Sequence, residues 1–587
     1  MKKLLTILSV LNLVTSQAQY FQNKNGILGS VYLHDGENVI DGGQGHLLAG
    51  STLVLNNSDL LLTRTDVNGT IVGVNTFNQI YRLTTTSGGN LAASPCKILQ
   101  INGGQIFVVG QYSDPSYSIE RGIFTAILSS GGNVLDVKAW VVVSPAPATD
   151  TYALSACRGL DTNKSEIFIT GYTDATVGTG NGGRPVIMAI DGQKNRLIWA
   201  NIYDFLGPGI LDKVFANDII ASPYITSNGE ELLVVGGHTE FISGVNDGIM
   251  FRVKAATGKP TSPMTTYNTG GADQFSAVCI APGFGGGSNG FVITGSTTVG
   301  SNWDVLIFKT DPTASTVVWN SQRNYSANGV NYGSSIISRQ NSLGKWIYYV
   351  GGTAVNGLQG GSDMVMYMVD DSTGDALIEI TYGTSENEYC DKISAFYNAP
   401  AEGITLYGTS TGILQGSPYN EYFVKSYFNG VSGCNEVTTS GITIHHPCIL
   451  TDYPISTTGD FKPINLLATV MSSGTITVLC FNLTLTNGSN LRQAEVIESI
   501  SYPASFFPNP VTLSNPTLNL SLNSPTEQQI EIRITDMLGR EVLNQQLVVA
   551  EGETLQQIQL PSGISAGVYN MSISGNNVSE NHRFVIE

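Results

Sequence analysis

The sequence predicts an all-β protein. The expected architecture is a β-propeller, seven blades favoured over six or eight, followed by a linker and a small C-terminal β-sandwich. Three observations predict it. A short strand carrying a glycine near its end recurs seven times at nearly constant spacing. Charged residues are 13% of the 587 positions, about half the usual share, while glycine fills 66. No stretch of useful length has helical periodicity.

The chain opens MKKLLTILSVLNLVTSQAQY. Lys2 and Lys3 precede an apolar run from Leu4 to Val14, and small residues stand at Ser16 and Ala18, the −3 and −1 positions of a cleavage site. This is the pattern of a secretory signal peptide, residues 1–18, cut after Ala18. No other stretch reaches the roughly 18 consecutive apolar residues of a membrane span, so no transmembrane segment is expected. The net charge of −18 with no basic stripe argues against nucleic acid as a partner.

The repeat occupies residues 19–433. Its glycine strand places Gly50, Gly110, Gly171, Gly237, Gly295, Gly352 and Gly408 at intervals of 56 to 66 residues. A second, alternating strand follows, headed by an acid at Asp59, Asp247, Asp304, Asp363 and Glu421, and by Arg121 and Arg184 in two copies. A turn, an aromatic or β-branched strand and a strand of small residues complete each unit. A four-stranded sheet cannot bury both faces alone, and packing several around an axis solves that, which is the propeller solution. The N-terminal strands up to Gly50 and the strand at Asn420 are expected to complete one blade between them. The repeated acids are expected to be structural, with their carboxylates bonding turn amides. The alternative is a ring of acids taking calcium or sugar at a mouth. Otherwise no cofactor is expected.

The segment DVLIFKTDPTASTVVWNSQRNY…IYYVGGT resembles the SBBP-type β-propeller repeat. The resemblance covers about residues 27–433 and is weakest where Arg replaces the leading acid. It implies a fold and no catalytic residues.

Residues 434–500 lose the period and read as a linker or a small irregular β module. From 501 to 587 the text sharpens: Phe507-Pro508-Asn509-Pro510, then Asp536 with Gly539-Arg540, then Leu560 with Ala566-Gly567-Val568-Tyr569, and finally Phe584-Val585-Ile586. These marks resemble the type A C-terminal sorting domain of the type IX secretion system. Arg583 stands where such tails more often carry Lys. The resemblance implies that the partners are the type IX outer-membrane translocon and its sorting peptidase. It also implies a secreted or cell-surface location on a Gram-negative bacterium.

Several motifs invite chemistry. Gly563-Ile564-Ser565-Ala566-Gly567 has the spacing of a hydrolase nucleophile elbow, but too few residues follow to build the scaffold that elbow needs. Gly178/Gly180/Gly183 and Gly285/Gly287/Gly290 match a dinucleotide fingerprint, yet both fall between strands, where no helix N-terminus meets a phosphate. His445-His446-Pro447-Cys448 lacks paired ligand spacing; a Cys434–Cys448 disulfide is the stronger alternative to a metal site, and solvated, unpaired residues are the outcome expected most. Cys96, Cys157 and Cys279 occupy similar repeat positions and read as small core residues. No catalytic, cofactor-binding or metal residues are assigned. The expected function is a non-enzymatic binding or adhesion module acting on glycans or proteins. One alternative is an extracellular polysaccharide- or peptide-degrading enzyme resting on His34, His46, His238 or carboxylates. Another is a passive surface-layer component.

Overall fold

The computed structural model describes residues 18–483 and 505–586, apart from loop segments within those spans, of which 175–182 is the longest. The signal peptide therefore lies almost wholly outside the described residues, as do Gly178, Gly180, Gly285, Gly287, Cys434, His445, His446, Pro447, Pro508, Asn509, Pro510 and Gly539. The chain divides into two compact units, 1–485 and 486–587. Among the described residues there are strands and one short 3₁₀ turn, Asn102–Gly104, with no α-helix.

The first unit consists of four-stranded antiparallel arrays in chain order. Sheet 1 spans residues 30–85, sheet 2 spans 90–144, sheet 3 spans 151–205 and sheet 4 spans 211–268. Sheet 5 spans 273–324 and sheet 6 spans 331–382. Sheet 7 takes three strands from residues 388–426 and its fourth, Ala18–Gly26, from the N-terminus. The expected completion, from the strands around Gly50 and the strand at Asn420, is corrected here: Gly50 belongs to an intact sheet 1. The reason is physical. The turn at 86–89, which passes from sheet 1 to sheet 2, is as short as the hairpins inside a sheet. Loop length therefore does not mark where one sheet ends.

Each sheet buries its apolar face against the next. Phe77 and Tyr81 meet Val108 and Phe124 between sheets 1 and 2. Tyr203 meets Phe251 between sheets 3 and 4, and Trp319 meets Tyr348 and Tyr367 between sheets 5 and 6. Further clusters join sheets 2 and 3, 4 and 5, and 6 and 7. Leu33 and Leu48 of sheet 1 pack on Tyr407 and Phe423 of sheet 7, so the series of contacts returns to its start.

Every first strand carries a β-bulge, an extra residue that kinks the strand and re-aims the side chains beyond it. The bulged residues are His34, Cys96, Leu154, Asn217, Ser276, Ser334 and Asp391. The recurrent glycine sits opposite, where a Cβ would strike the carbonyl oxygen of the first strand at Gly110, Gly171, Gly295, Gly352 and Gly408. In sheet 4 that role falls to Gly236, not to the expected Gly237, beside which a Cβ has ordinary contacts. Two glycines stand side by side there, and the repeat alone cannot say which one faces the bulge.

Residues 434–500 were expected to form a linker or a small irregular module. Instead, short strands from 436 to 483 extend the sheets at their outer edges, in descending order. Glu436–Thr439 joins sheet 6, Ile442–Ile444 joins sheet 5, Ile449–Tyr453 joins sheet 4 and Ile455–Thr458 joins sheet 3. Asp460–Ser473 then pairs with sheet 2 through its first half and sheet 1 through its second. Finally Thr475–Leu483 pairs with Ala18–Gly26 in sheet 7. A sheet edge needs only backbone donors and acceptors, so these strands require no side-chain signature.

The second unit pairs Ser505–Phe507, Thr517–Ser524 and Gly552–Gln559 in one sheet. Glu541–Val549, Gln528–Asp536, Gly567–Gly575 and Ser579–Ile586 form the other. Leu520, Ile532, Ile534, Ile558 and Met571 form their shared core.

Candidate functional site

The seven first strands all begin at one end of their sheets, and the third strands begin there too. One position at that end is equivalent in every sheet: the residue paired with the one that follows the bulge-facing glycine. It is Tyr32, Ser94, Tyr152, Phe215, Gln274, Tyr332 and Tyr389 in sheets 1 to 7. Five of the seven are aromatic. Tyr32, Tyr332 and Tyr389 are 40%, 44% and 39% exposed between buried neighbours.

These rings sit on the seams between sheets. Tyr32 lies 4.7 Å from Tyr419, just before the third strand of sheet 7, and Tyr332 lies 6.4 Å from Trp303, just before the third strand of sheet 5. Arg121, at the head of the third strand of sheet 2, lies over the Tyr152 ring at 5.6 Å. Tyr152 stacks on Tyr172 at 4.5 Å, and Tyr172 meets Phe215 edge-on at 4.9 Å. The seams are tied by hydrogen bonds: Leu33 N donates to Thr409 Oγ1 and Cys390 N to Thr353 Oγ1, both at 2.9 Å. The aromatic end thus rests on rigid strands rather than loops.

Just past the bulge a charged layer draws together residues from several sheets. Asp35, Lys97, Asp218 and Lys392 hold the same position in sheets 1, 2, 4 and 7. Lys97 Nζ lies 3.4 Å from Asp35 Oδ1, and Asp35 Oδ2 accepts Ile98 N at 2.9 Å. Asp218 accepts Ser155 Oγ at 2.6 Å and Val278 N at 2.9 Å. Farther along, Arg158 of sheet 3 donates to both Glu37 oxygens of sheet 1, at 2.7 and 2.8 Å. Burial works against the Lys97 ammonium, yet the Asp35, Asp218 and Glu37 carboxylates hold it above its ordinary value. Burial and the neighbouring Lys97 push Lys392 below the usual lysine range. Burial, with Asp35, pushes the Asp391 carboxyl up to about 8. Charge here is largely paired, and nothing in the layer is arranged as a nucleophile with its base.

Four of the five repeated acids have partners on other strands. Asp59 forms a two-point pair with Arg82, at 2.9 and 2.6 Å, across its sheet. Asp247 accepts Asn268 Nδ2 at 2.7 Å, Asp304 pairs with Gln322, and Glu421 accepts Thr63 Oγ1 at 3.1 Å. Asp363 is fully buried at the same position. In sheet 3 the pair is inverted: Arg184 Nε donates to Asp204 at 2.8 Å. The Arg at the head of that copy keeps the cross-strand ion pair with its charges exchanged.

Of the expected acid/base candidates, His46 and His238 are fully enclosed, the first bonded to Tyr407 Oη at 2.9 Å and the second 3.5 Å from Asp247. Burial pushes His34 down to about 4, leaving a neutral ring within 2.9 Å of Ser51 Oγ and 3.2 Å of Ser94 Oγ. Cys96, Cys157 and Cys279 carry free thiols, and burial pushes Cys157 up to about 12 and the other two higher. Cys448 is also free, and Cys434, its expected disulfide partner, lies outside the described residues. Among the described residues, no group of three or more His, Cys, Asp and Glu could hold a metal ion. No helix there is long and apolar enough to cross a membrane.

In the second unit Asp536 and Arg540 close a hairpin. Arg540 N donates to Asp536 Oδ1 at 3.0 Å and its Nε to Oδ2 at 2.7 Å. Tyr569 is buried in the core, and its hydroxyl donates to Ser565 O at 2.8 Å. Ser565 is exposed, and the strand Gly567–Gly575 follows it where a nucleophile elbow would need a helix. Gly567 opens that strand beside Ile586. Phe507 and Phe584 lie in the strands Ser505–Phe507 and Ser579–Ile586.

The sequence reading assigned the repeat glycines and acids but missed the aromatic position and the charged layer. A signal existed in the pairs Val31-Tyr32, Thr151-Tyr152, Val214-Phe215, Asn331-Tyr332 and Glu388-Tyr389, each about twenty residues before its glycine. Loop insertions shift that distance from copy to copy, so only the register aligns it.

Residues 505–587 match the family described as the secretion system C-terminal sorting domain. No curated protein matches the chain. Among solved structures, PorZ of Porphyromonas gingivalis, described as an essential bacterial surface component of the type-IX secretion system, is 10% identical. That match covers 97% of this chain and 100% of that one, with a TM-score of 0.21, and carries no weight for either fold or function. The sorting domain marks the chain as secretion cargo bound for the cell surface or the extracellular space.

Proposed function

We propose that the body is a seven-bladed β-propeller of the SBBP type that binds an extracellular ligand through the end ringed by Tyr32, Tyr152, Phe215, Tyr332 and Tyr389. In this reading the signal peptide is residues 1–18, the body runs through the strands ending at 483, and the sorting tail is 501–587. The tail engages the type IX translocon and its sorting peptidase. The body then acts as a non-enzymatic binding or adhesion module.

The observation that carries the reading is the register. An aromatic ring recurs at one equivalent position in five of the seven sheets and is exposed in three of them, although nothing in the packing of a sheet requires it there. Exposed rings cost solubility and are characteristic of interaction surfaces. The seven arrays, each packed on the next and the last on the first, support the propeller.

The test is capture of bacterial or host surface extracts by the exported full chain, compared with a Tyr32→Ala/Tyr332→Ala/Tyr389→Ala variant. Binding by the parent and at least tenfold weaker binding by the variant supports the reading. Equal binding by both overturns it. A hydrolase reading is favoured only by His34 beside Ser51 and Ser94. Release of shortened products that His34→Ala abolishes would establish it.

A further inference from the structure

The aromatic end is not uniform around the ring. Sheets 6, 7 and 1 are consecutive and present the three exposed tyrosines, Tyr332, Tyr389 and Tyr32, with Trp303 beyond Tyr332 at one end and Tyr419 at the seam between sheets 7 and 1. Sheets 3 and 4 present the other aromatics, Tyr152, Tyr172 and Phe215. These are more covered by one another and are accompanied by charge: Arg121 over Tyr152, and Asp150 accepting the Tyr152 hydroxyl at 3.1 Å. Ser94 and Gln274 separate the two arcs.

Resting on the binding-face reading, we infer that the arc Tyr332–Tyr389–Tyr32 is a platform for a neutral polysaccharide chain. A polymer of like units suits a surface that repeats one feature at each step from sheet to sheet. The tyrosines offer flat apolar faces to the C–H faces of sugar rings, and their hydroxyls offer hydrogen bonds to the rims. The hydroxyl residues opposite them, Thr353, Thr409 and Ser51, are buried and engaged: the two threonines accept amides of the neighbouring sheet, and Ser51 bonds His34. They fix the platform in place instead of reaching the ligand, which lowers the ordering cost of binding. Charge selects the class. None of the equivalent positions in this arc is ionisable to a cation, and a chain of net charge −18 repels a polyanion. The acids at that end of the arc, Asp59, Asp363, Glu388 and Glu421, are buried and none of them attracts a polyanion, whereas the third strands of sheets 2 and 3 begin with Arg121 and Arg184.

The experiment is native affinity electrophoresis of the full chain in gels containing laminarin, mannan or xylan, with polygalacturonate as the acidic comparison. The expected result is retardation by at least one neutral polymer that persists in 0.5 M NaCl. Tyr32→Ala, Tyr332→Ala and Tyr389→Ala should each weaken it about fivefold or more. Tyr332→Trp should restore it, which a merely misfolded variant would not do. Leu135→Ala, at an exposed residue where the fourth strand of sheet 2 begins, away from the aromatic end, should leave it within twofold. Retardation by none of the neutral polymers, or only by polygalacturonate and only at low salt, overturns the ligand class. If surface-extract capture remains sensitive to the same tyrosines, the binding face survives that failure. Retardation that ignores every ring variant overturns the face itself.

Discussion

Gly171 and Gly408 have no room for a methyl group, because a Cβ at either would enter the carbonyl oxygen of Tyr152 or Tyr389 across the bulge. Relief requires moving a backbone that also carries the aromatic ring. Gly171→Ala and Gly408→Ala should each cost about 1–3 kcal/mol, the usual range for forced overpacking. Gly237→Ala should stay within about 0.5 kcal/mol, as at an unconstrained site. Thermal midpoints of the three variants check this, and an equal loss at Gly237 would contradict the assignment of Gly236 to the bulge. Asp391 makes a second prediction at this scale. Its folded-state carboxyl is pushed up to about 8, above the roughly 3.9 of an unfolded chain. The native state therefore favours the protonated acid, and the stability it contributes is present at low pH and lost as pH rises through about 8. Lys392 and Lys425, the latter pushed down to about 7 by burial, act with opposite sign and mask the trend in the parent. Asp391→Asn isolates it: the midpoint of the variant relative to the parent should rise from about pH 4 to about pH 8 and level off above that. A constant difference from about pH 4 to about pH 8 would contradict the burial of that carboxyl beside Asp35.

At the scale of elements, the strands from 436 to 483 are the feature that changes the picture most. They cover outer edges that would otherwise offer unpaired backbone groups to other chains. Deleting 436–483 while keeping the sorting tail should give a chain that aggregates. Size-exclusion chromatography that found it monomeric would contradict the role given to these strands. How much was legible follows the same physics. The glycine strands were readable because a close approach admits only glycine, and the alternating strands because one face is buried. Ile442–Ile444 and Ile455–Thr458 were not readable, because an added edge strand is specified by backbone and carries no side-chain pattern. The repeated acids Asp59, Asp247, Asp304 and Glu421 have partners on another strand, a distance that sequence does not supply. Tyr32, Tyr332 and Tyr389 were present in the sequence all along, and the strand register turns them from scattered aromatics into one surface.

For the whole molecule, delivery and activity are assigned to separate parts of the chain. The sorting domain at 505–587 accounts for export. Ser565, the apparent nucleophile, sits within it and not in the body. Removing residues 505–587 should therefore leave the protein in the cell without altering what the body binds, as fractionation of cells and medium would reveal. The most direct measurement joins both halves. Cells producing the parent, the tail deletion or the Tyr32→Ala/Tyr332→Ala/Tyr389→Ala variant are fractionated, and the protein from each fraction is tested for ligand capture. The account predicts that the triple variant is exported like the parent and fails to bind, while the tail deletion is retained and binds. Export of the triple variant with undiminished binding would contradict it.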